Sequence, residues 1–248
     1  MADLTVAVAQ FVAVPRDLER SVQRHLALAA LAARQGARIV LFPELSLTGY
    51  DRHLTVADAL DAAEPRLQPL RALADSHQIV IVVGAPVASA KGLHIAALSF
   101  GPGAGTATYL KEFLHEGEES AFIPGSGGDQ LPLGGHSVGL AICADITHPD
   151  HAARTAGRGA TIYAASCFLT EQGYQADTAL LRGYARAHRM VVLMANYGAP
   201  IDSWCSAGRS AIWSSTGELL ACAPPEGEAL ISAAIGDGSG SSTTRRGR

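Results

Sequence analysis

The chain has 248 residues, 48% hydrophobic and 17% charged, with 26 Gly and 12 Pro. This is enough for one sizeable core and short for two, and the composition is that of neither a coiled coil nor a disordered chain. A net charge of −4 leaves no basic footprint for nucleic acid, and no apolar run approaches the roughly 20 residues that cross a bilayer. No basic segment followed by an apolar stretch opens the chain, so no signal peptide is read. Four scattered cysteines without a C-x-x-C pair are not a disulfide framework. A cytoplasmic protein with no membrane or nucleic-acid partner is expected.

Strands and helices alternate from the start. Leu4–Gln10 is a short apolar run and reads as a buried strand. Pro15 and Asp17 open a helix whose residues Leu18, Val22, Leu26, Ala29 and Ala30 share a face, and Gly36 stops it. Ala37–Phe42 is a second buried strand, halted by Pro43. Pro65–His77 reads as a helix, Gln78–Gly84 as a third strand, and Leu93–Phe100 with Thr106–Lys111 as a strand pair around the turn GPGAG. A long loop, Glu112 to about Gly135, follows, and loops of that length inside one domain are commonly functional. Beyond it, His136–Cys143, Ala160–Ser166 and Val191–Asn196 read as strands, separated by helices at His148–Arg158 and Gln175–Arg189. Ser210–Ser214, Leu219–Cys222 and Ala229–Ala234 are terminal strands. With no internal repeat or linker, residues 1–235 form one α/β domain, and 236–248, rich in Gly, Ser and Arg, read as a disordered tail.

Three chemically distinct residues stand where apolar strands run out. Glu44 follows ARIVLFP, Lys111 follows ATYL, and Cys143 follows SVGLAI. In layered α/β folds, C-terminal strand ends converge on one rim where binding crevices lie. Each residue alone has an ordinary explanation, since strand-end cysteines are commonly small buried hydrophobes. Three at equivalent places point to an acid, an ammonium and a thiol sharing a site. Only Lys91 and Lys111 are lysines among 19 basic residues. Position 111 therefore keeps a compact point charge in a chain that elsewhere prefers the wide guanidinium fork.

These segments, taken in order, resemble the nitrilase superfamily of carbon–nitrogen hydrolases over about Leu4 to Ala234. Phe42-Pro43-Glu44-Leu45 with Thr48-Gly49-Tyr50 looks like the segment of the family's general-base glutamate. Tyr109-Leu110-Lys111 looks like its lysine strand, and Glu118, six residues before Pro124-Gly125, like its second glutamate. Gly139–Asp145 with Pro149-Asp150 looks like its nucleophile turn, and Ala195-Asn196 like a late strand that closes the site. The resemblance implies an α-β-β-α sandwich, stacking into αββα-αββα homodimers. It implies a small-molecule amide cleaved through a thioester, without cofactor or metal. Catalytic roles fall to Glu44, Lys111, Cys143 and Glu118, with Lys111 and the Ala144 N–H binding the oxyanion. Tyr50, Phe113, Phe168 and Asn196 are candidate substrate-binding residues, with Tyr174 and Trp204 as further aromatics. Arg182 or Arg186 is a candidate partner for a substrate carboxylate. Where family members often place an aromatic after the cysteine, this chain has Ala144, which leans towards amides over nitriles.

Other readings stay open at this stage: a nitrilase, an N-carbamoyl amidohydrolase, an acyl transferase using the same thioester, and a silent binding scaffold. The literal G-x-S-x-G at Gly135–Gly139 suggests a serine hydrolase, but the strand follows Ser137 where it should precede it. His148 and His151, near Asp145 and Asp150, have a spacing seen in metal sites, though no further ligand set accompanies them.

Overall fold

The apolar runs near the N-terminus carry hydrophobic side chains on both faces, so each needs cover above and below. The computed structural model describes residues 4–61, 63–103 and 105–236, and in it these runs form the middle of a six-stranded sheet. Strands β1 (Leu4–Gln10), β2 (Ala37–Leu41) and β3 (Val80–Ser89) run parallel. β4 (Gly92–Phe100) and β5 (Thr106–Leu110) add antiparallel on one side, and β12 (Ala229–Ile235) on the other. The second sheet contains β6 (Leu131–Leu133), β7 (His136–Ile142), β8 (Ile162–Ser166), β9 (Val191–Ala195), β10 (Ala211–Trp213) and β11 (Leu219–Cys222), in spatial order β11-β10-β9-β8-β7-β6.

Helices α1 (Leu18–Arg34) and α2 (Gln68–His77) cover the outer face of the first sheet, and α3 (Pro149–Gly157) and α4 (Tyr174–His188) that of the second. The Asp17 side chain accepts from Arg20 N at 3.0 Å and caps α1, as the opening residues predict. The layering follows from the two-residue period of the strands. In β8, Ile162 and Ala164 face the first sheet, whereas Tyr163 and Ala165 face the helices. In β9, Leu193 and Ala195 face inwards, and Val192 and Met194 outwards. The result is the expected α-β-β-α sandwich.

Two elements differ from the sequence reading. β3 continues five residues past Gly84 to Ser89, because it folds back on β4 through the turn at Ala90 and Lys91. The long loop also contains a strand. Leu131–Leu133 pairs with the start of β7, and Gly134 and Gly135, at φ of 54° and 89°, form the turn between them. Two positive φ values in a two-residue loop match the twist of a hairpin, and the Gly-Gly pair was its signal. Three residues with a central proline are too short and too irregular to announce a strand. The tail beyond residue 236 lies outside the described residues.

One glycine in the sheet decides where a polar loop can sit. A Cβ on Gly84 would lie 2.1 Å from Leu45 N and 2.5 Å from Pro43 O, so only hydrogen lets β3 carry the Pro43–Leu45 turn against its backbone. Gly84→Ala is expected to lower stability by about 1–3 kcal/mol through overpacking. Gly157→Ala, at a site with nothing within 4 Å, should leave it unchanged or slightly raised. Urea denaturation of the two variants checks the contrast.

Candidate active site

Glu44 is reached by the last turn of chain after β2. The Phe42 N–H still donates to Val82 O at 2.9 Å, then Pro43 ends the ladder and Leu45 takes a left-handed φ of 50°. Both sheets hold this turn. Ser166 Oγ donates to Phe42 O at 2.8 Å, and Tyr197 OH to Glu44 O at 2.5 Å. From the helix side, His25 Nε2 lies 2.9 Å from Ser46 Oγ, which also accepts the Gly84 N–H at 3.0 Å. Burial pushes His25 down to about 4, so near neutral pH it acts as an uncharged spacer.

Lys111 follows β5 and is fully buried. Its Nζ donates to Glu44 Oε1 at 2.6 Å and lies 2.8 Å from both Glu118 carboxylate oxygens. Glu44 and Glu118 are likewise fully buried. Glu118 is further held by Tyr50 OH at 2.9 Å and by the His115 N–H at 2.8 Å. The second Glu44 oxygen, Oε2, is buried and has no hydrogen-bond partner. Burial raises the Glu44 carboxyl to about 7, against the opposing pull of Lys111. Burial by itself lowers the Lys111 ammonium, but Glu44, Cys143 and Glu118 together outweigh it and hold it above the ordinary lysine value.

Cys143 begins a short helical turn (Cys143–Thr147) directly after β7, with a φ of 43°. Side chains rarely adopt this region, and such strained positions gather at functional sites. It is only partly buried, whereas Glu44 and Lys111 are fully enclosed. Its Sγ lies 3.8 Å from Phe168 O and interacts with the Glu44 carboxyl. Burial, then the Glu44 charge, push the thiol pKa well up, and Lys111 opposes them. The backbone N–H of Ala144 lies in the first turn of this helix, where donors lack an intrahelical acceptor.

Asp145 holds the Cys143 turn to the lysine segment. Its Oδ1 accepts from Glu112 N at 3.1 Å and Phe113 N at 2.9 Å, and its Oδ2 from Ile142 N at 2.9 Å and Tyr109 OH at 2.8 Å. The Tyr109 hydroxyl also meets His151 Nε2 at 2.7 Å, and His151 Nδ1 meets Tyr163 OH at 2.8 Å. His151 therefore has both ring nitrogens engaged by tyrosines, and His148 stacks flat on Phe113 with ring centroids 3.7 Å apart. Among the described residues, no three His, Cys, Asp or Glu side chains cluster as a metal site would need.

A small pocket of about 40 Å³ opens over Cys143, lined by Tyr50, Arg52, His115, Phe168, Thr170 and Trp204. Of the candidate substrate-binding residues, Tyr50 and Phe168 lie in this wall, with rings 5.1 Å apart. Phe113 faces His148 instead. The buried Asn196 side chain is spent on Leu169 N and O and on Gly208 O, at 2.9–3.1 Å, and so supports the loop that carries Phe168. Arg182 and Arg186 are exposed on α4, away from the pocket lining. Ser137 sits at the opposite end of β7 from Cys143, its Oγ bonded to Gln130 Oε1 at 2.6 Å. The sequence reading missed Arg52, and it placed Asp145 in the resembling Gly139–Asp145 segment and beside the possible metal ligands, without a role of its own. The signal for both was proximity in sequence, two residues after Tyr50 and two after Cys143.

A buried carboxyl, an enclosed ammonium and a thiol at a strained strand end thus share one site between the sheets. A model of the carbon–nitrogen hydrolase family matches residues 5–243, and the chain belongs to that family. It is 30% identical over 236 residues to "Hydrolase in pqqF 5'region" of Pseudomonas protegens, covering 92% of this chain and 81% of that protein. It is 28% identical over 186 residues to an arylacetonitrilase of Macrophomina phaseolina, covering 66% of this chain and 54% of that protein. Among solved structures, the NitN amidase from Nesterenkonia sp. AN1 superposes with a TM-score of 0.85 at 25% identity, covering 94% of this chain and 93% of that one. A cysteine mutant of that amidase in complex with butyramide gives a TM-score of 0.84 at 25% identity, covering 94% and 90%.

Asp145→Asn should separate the clamp from the chemistry around it. The amide keeps one acceptor oxygen but turns an NH₂ towards the Ile142 N–H, so stability should fall by about 1–3 kcal/mol. Thermal unfolding of the variant checks it.

Proposed function

We propose that the protein hydrolyses a small-molecule amide to an acid and ammonia through a thioester on Cys143. The observation that carries this reading is the enclosed Glu44–Lys111–Glu118 cluster, whose Glu44 keeps one oxygen free of hydrogen bonds and whose charge reaches the Cys143 thiol. Glu44 takes the Sγ proton as the sulfur attacks the amide carbon. The carbonyl electron pair moves onto oxygen, where the Lys111 ammonium and the Ala144 N–H stabilise it. Collapse of this adduct breaks the C–N bond, and Glu44 returns the proton to the departing nitrogen. Water then enters, loses its proton to Glu44 and attacks the thioester, releasing the acid and the thiol. Glu118 acts through Lys111, holding the ammonium in place.

The resting thiol and the Glu44 carboxyl have matched tendencies. The thiol is pushed up, so it stays protonated until attack. Glu44, at about 7, is ready to accept a proton near neutral pH. A nitrile substrate is the second reading, favoured by the likeness to an arylacetonitrilase. Tyr50, Phe168 and Trp204 crowd the opening over Cys143, which argues for a short acyl group. The same proposal includes a cytoplasmic homodimer of stacked sandwiches, for which light scattering should give twice the 25.7 kDa chain mass.

Cys143→Ala should fold and lose ammonia release from amides, while Cys205→Ala and Cys222→Ala, both at exposed positions, retain it. Intact mass after substrate addition should show an acyl adduct on wild type and none on Cys143→Ala. Full turnover by Cys143→Ala would end the proposal. Lys111→Ala should lower kcat by about 10²–10³. The base form of Glu44 is lost as pH falls below about 7, so kcat/KM should rise with pH and level off above that value. An acid limb centred near the ordinary carboxylate value would contradict the assignment of Glu44.

A further inference from the structure

The pocket over Cys143 contains a cation that the chemistry above does not use. Arg52 is half-buried in the same wall as the nucleophile. Its Nε donates to Tyr50 OH at 3.2 Å, and its Nη2 lies 3.5 Å from His115 Nδ1. Neither partner is a carboxylate. Among the described residues it makes no ion pair within 4.0 Å, in contrast to Arg16, Arg24, Arg66, Arg154, Arg158 and Arg209. The two acids nearest in charge are occupied elsewhere. Glu118 is held by Lys111, Tyr50 and the His115 N–H, and Glu119 Oε2 accepts the Gly117 N–H at 2.7 Å.

The guanidinium is also held in place. It lies 4.9 Å from the Trp204 ring centre and 5.9 Å from that of Tyr50. Cation–π contact on two sides orients the plane without neutralising it. Gly117, at φ of 90°, leaves room for it, since a Cβ there would come within 2.5 Å of Arg52 Nη1. With Nε turned to Tyr50 and Nη2 near His115 at 3.5 Å, Nη1 has no hydrogen-bond partner among the described residues, and a guanidinium with donors left over can grip a carboxylate.

We infer that Arg52 is a specificity residue that binds a carboxylate at the far end of the substrate, so that the preferred substrates are monoamides of short dicarboxylic acids. The inference rests on the amidase reading above. A carboxylate entering a half-buried pocket next to Glu44 and Glu118 is strongly disfavoured unless it is paired and hydrogen-bonded. Arg52 supplies both conditions. Arg52 and Cys143 line the same small pocket, which calls for a short spacer.

The test compares succinamate with succinamide, and glutaramate with glutaramide, at pH 8 and low salt. Each pair has nearly the same shape and differs by one negative charge. Wild type should favour the monoanion in kcat/KM by tenfold or more, mainly through KM, and added salt should shrink the preference. Arg52→Gln should collapse that ratio towards one, and Arg52→Lys should restore part of it. A merely structural Arg52, supporting Tyr50 and Glu118, would lower both members of a pair alike and leave the ratio in place. An unchanged ratio in Arg52→Gln, or no monoanion preference in wild type, overturns the inference while the amidase reading stands. If wild type turns over none of the four amides, the amidase reading fails and binding alone decides. Succinate titrated into Cys143→Ala protein should then bind at least tenfold tighter than into the Cys143→Ala, Arg52→Gln double variant, and equal binding overturns the inference.

Discussion

The structure depends on one buried ion cluster. An ammonium and two carboxylates, none with any exposed surface, meet within 2.6–2.8 Å. Removing such ions from water is costly, and their mutual attraction offsets the loss only when geometry and remaining hydrogen bonds are nearly complete. Glu118 meets that requirement with the Tyr50 hydroxyl and the His115 N–H. Glu44 does not, because Oε2 has no partner. Burial of this incompletely bonded carboxyl raises it to about 7. On the proposed mechanism, a fully satisfied Glu44 would be a better structural ion and a poorer base.

Holding three charges in this way needs both sheets. Glu44 comes from the first sheet, but its turn is held by Ser166 and Tyr197 of the second. Cys143 comes from the second sheet, but the Asp145 beside it is bonded to the N–H groups of Glu112 and Phe113, which continue from the first. Glu44 and Cys143 are therefore each positioned across the interface. The close approach of β3 to the Glu44 turn, possible only at Gly84, adds a third constraint. Mutual packing of the two inner faces and placement of Glu44, Lys111 and Cys143 are therefore one problem, which explains why the cluster lies deep in the sandwich beneath the pocket over Cys143.

Much of this was legible in the chain. The strands at Leu4–Gln10, Ala37–Leu41, Ile162–Ser166 and Val191–Ala195 are apolar runs bounded by clear stop signals, and the helices between them carry one apolar face. Glu44, Lys111 and Cys143 stood out because a charged or reactive residue ends each run. The short strand Leu131–Leu133 was not legible, since its pairing with β7 creates it and its own three residues hardly favour it. Phe113 and Asn196 illustrate a second limit. Both sit at strand ends near the right positions, yet one stacks on His148 and the other is consumed by backbone groups of the Phe168 loop. Where a strand ends can be read from sequence, but the direction of a side chain after the end depends on the loop it meets.

The alternation of elements, the two-faced strands that demand a sandwich, and the kinds of group at the strand tips are already written in the chain. These are local properties, set by periodicity and by the residues that stop each element. Only the tertiary structure decided that Glu118 would reach back seven residues to share Lys111, that Asp145 would tie two sheets together, and that Arg52 would lie in the pocket wall without a carboxylate partner. Those outcomes are matters of charge compensation and desolvation. They depend on which groups are left unpaired once water is excluded, and residues far apart along the chain settle that only after the sheets have closed on each other.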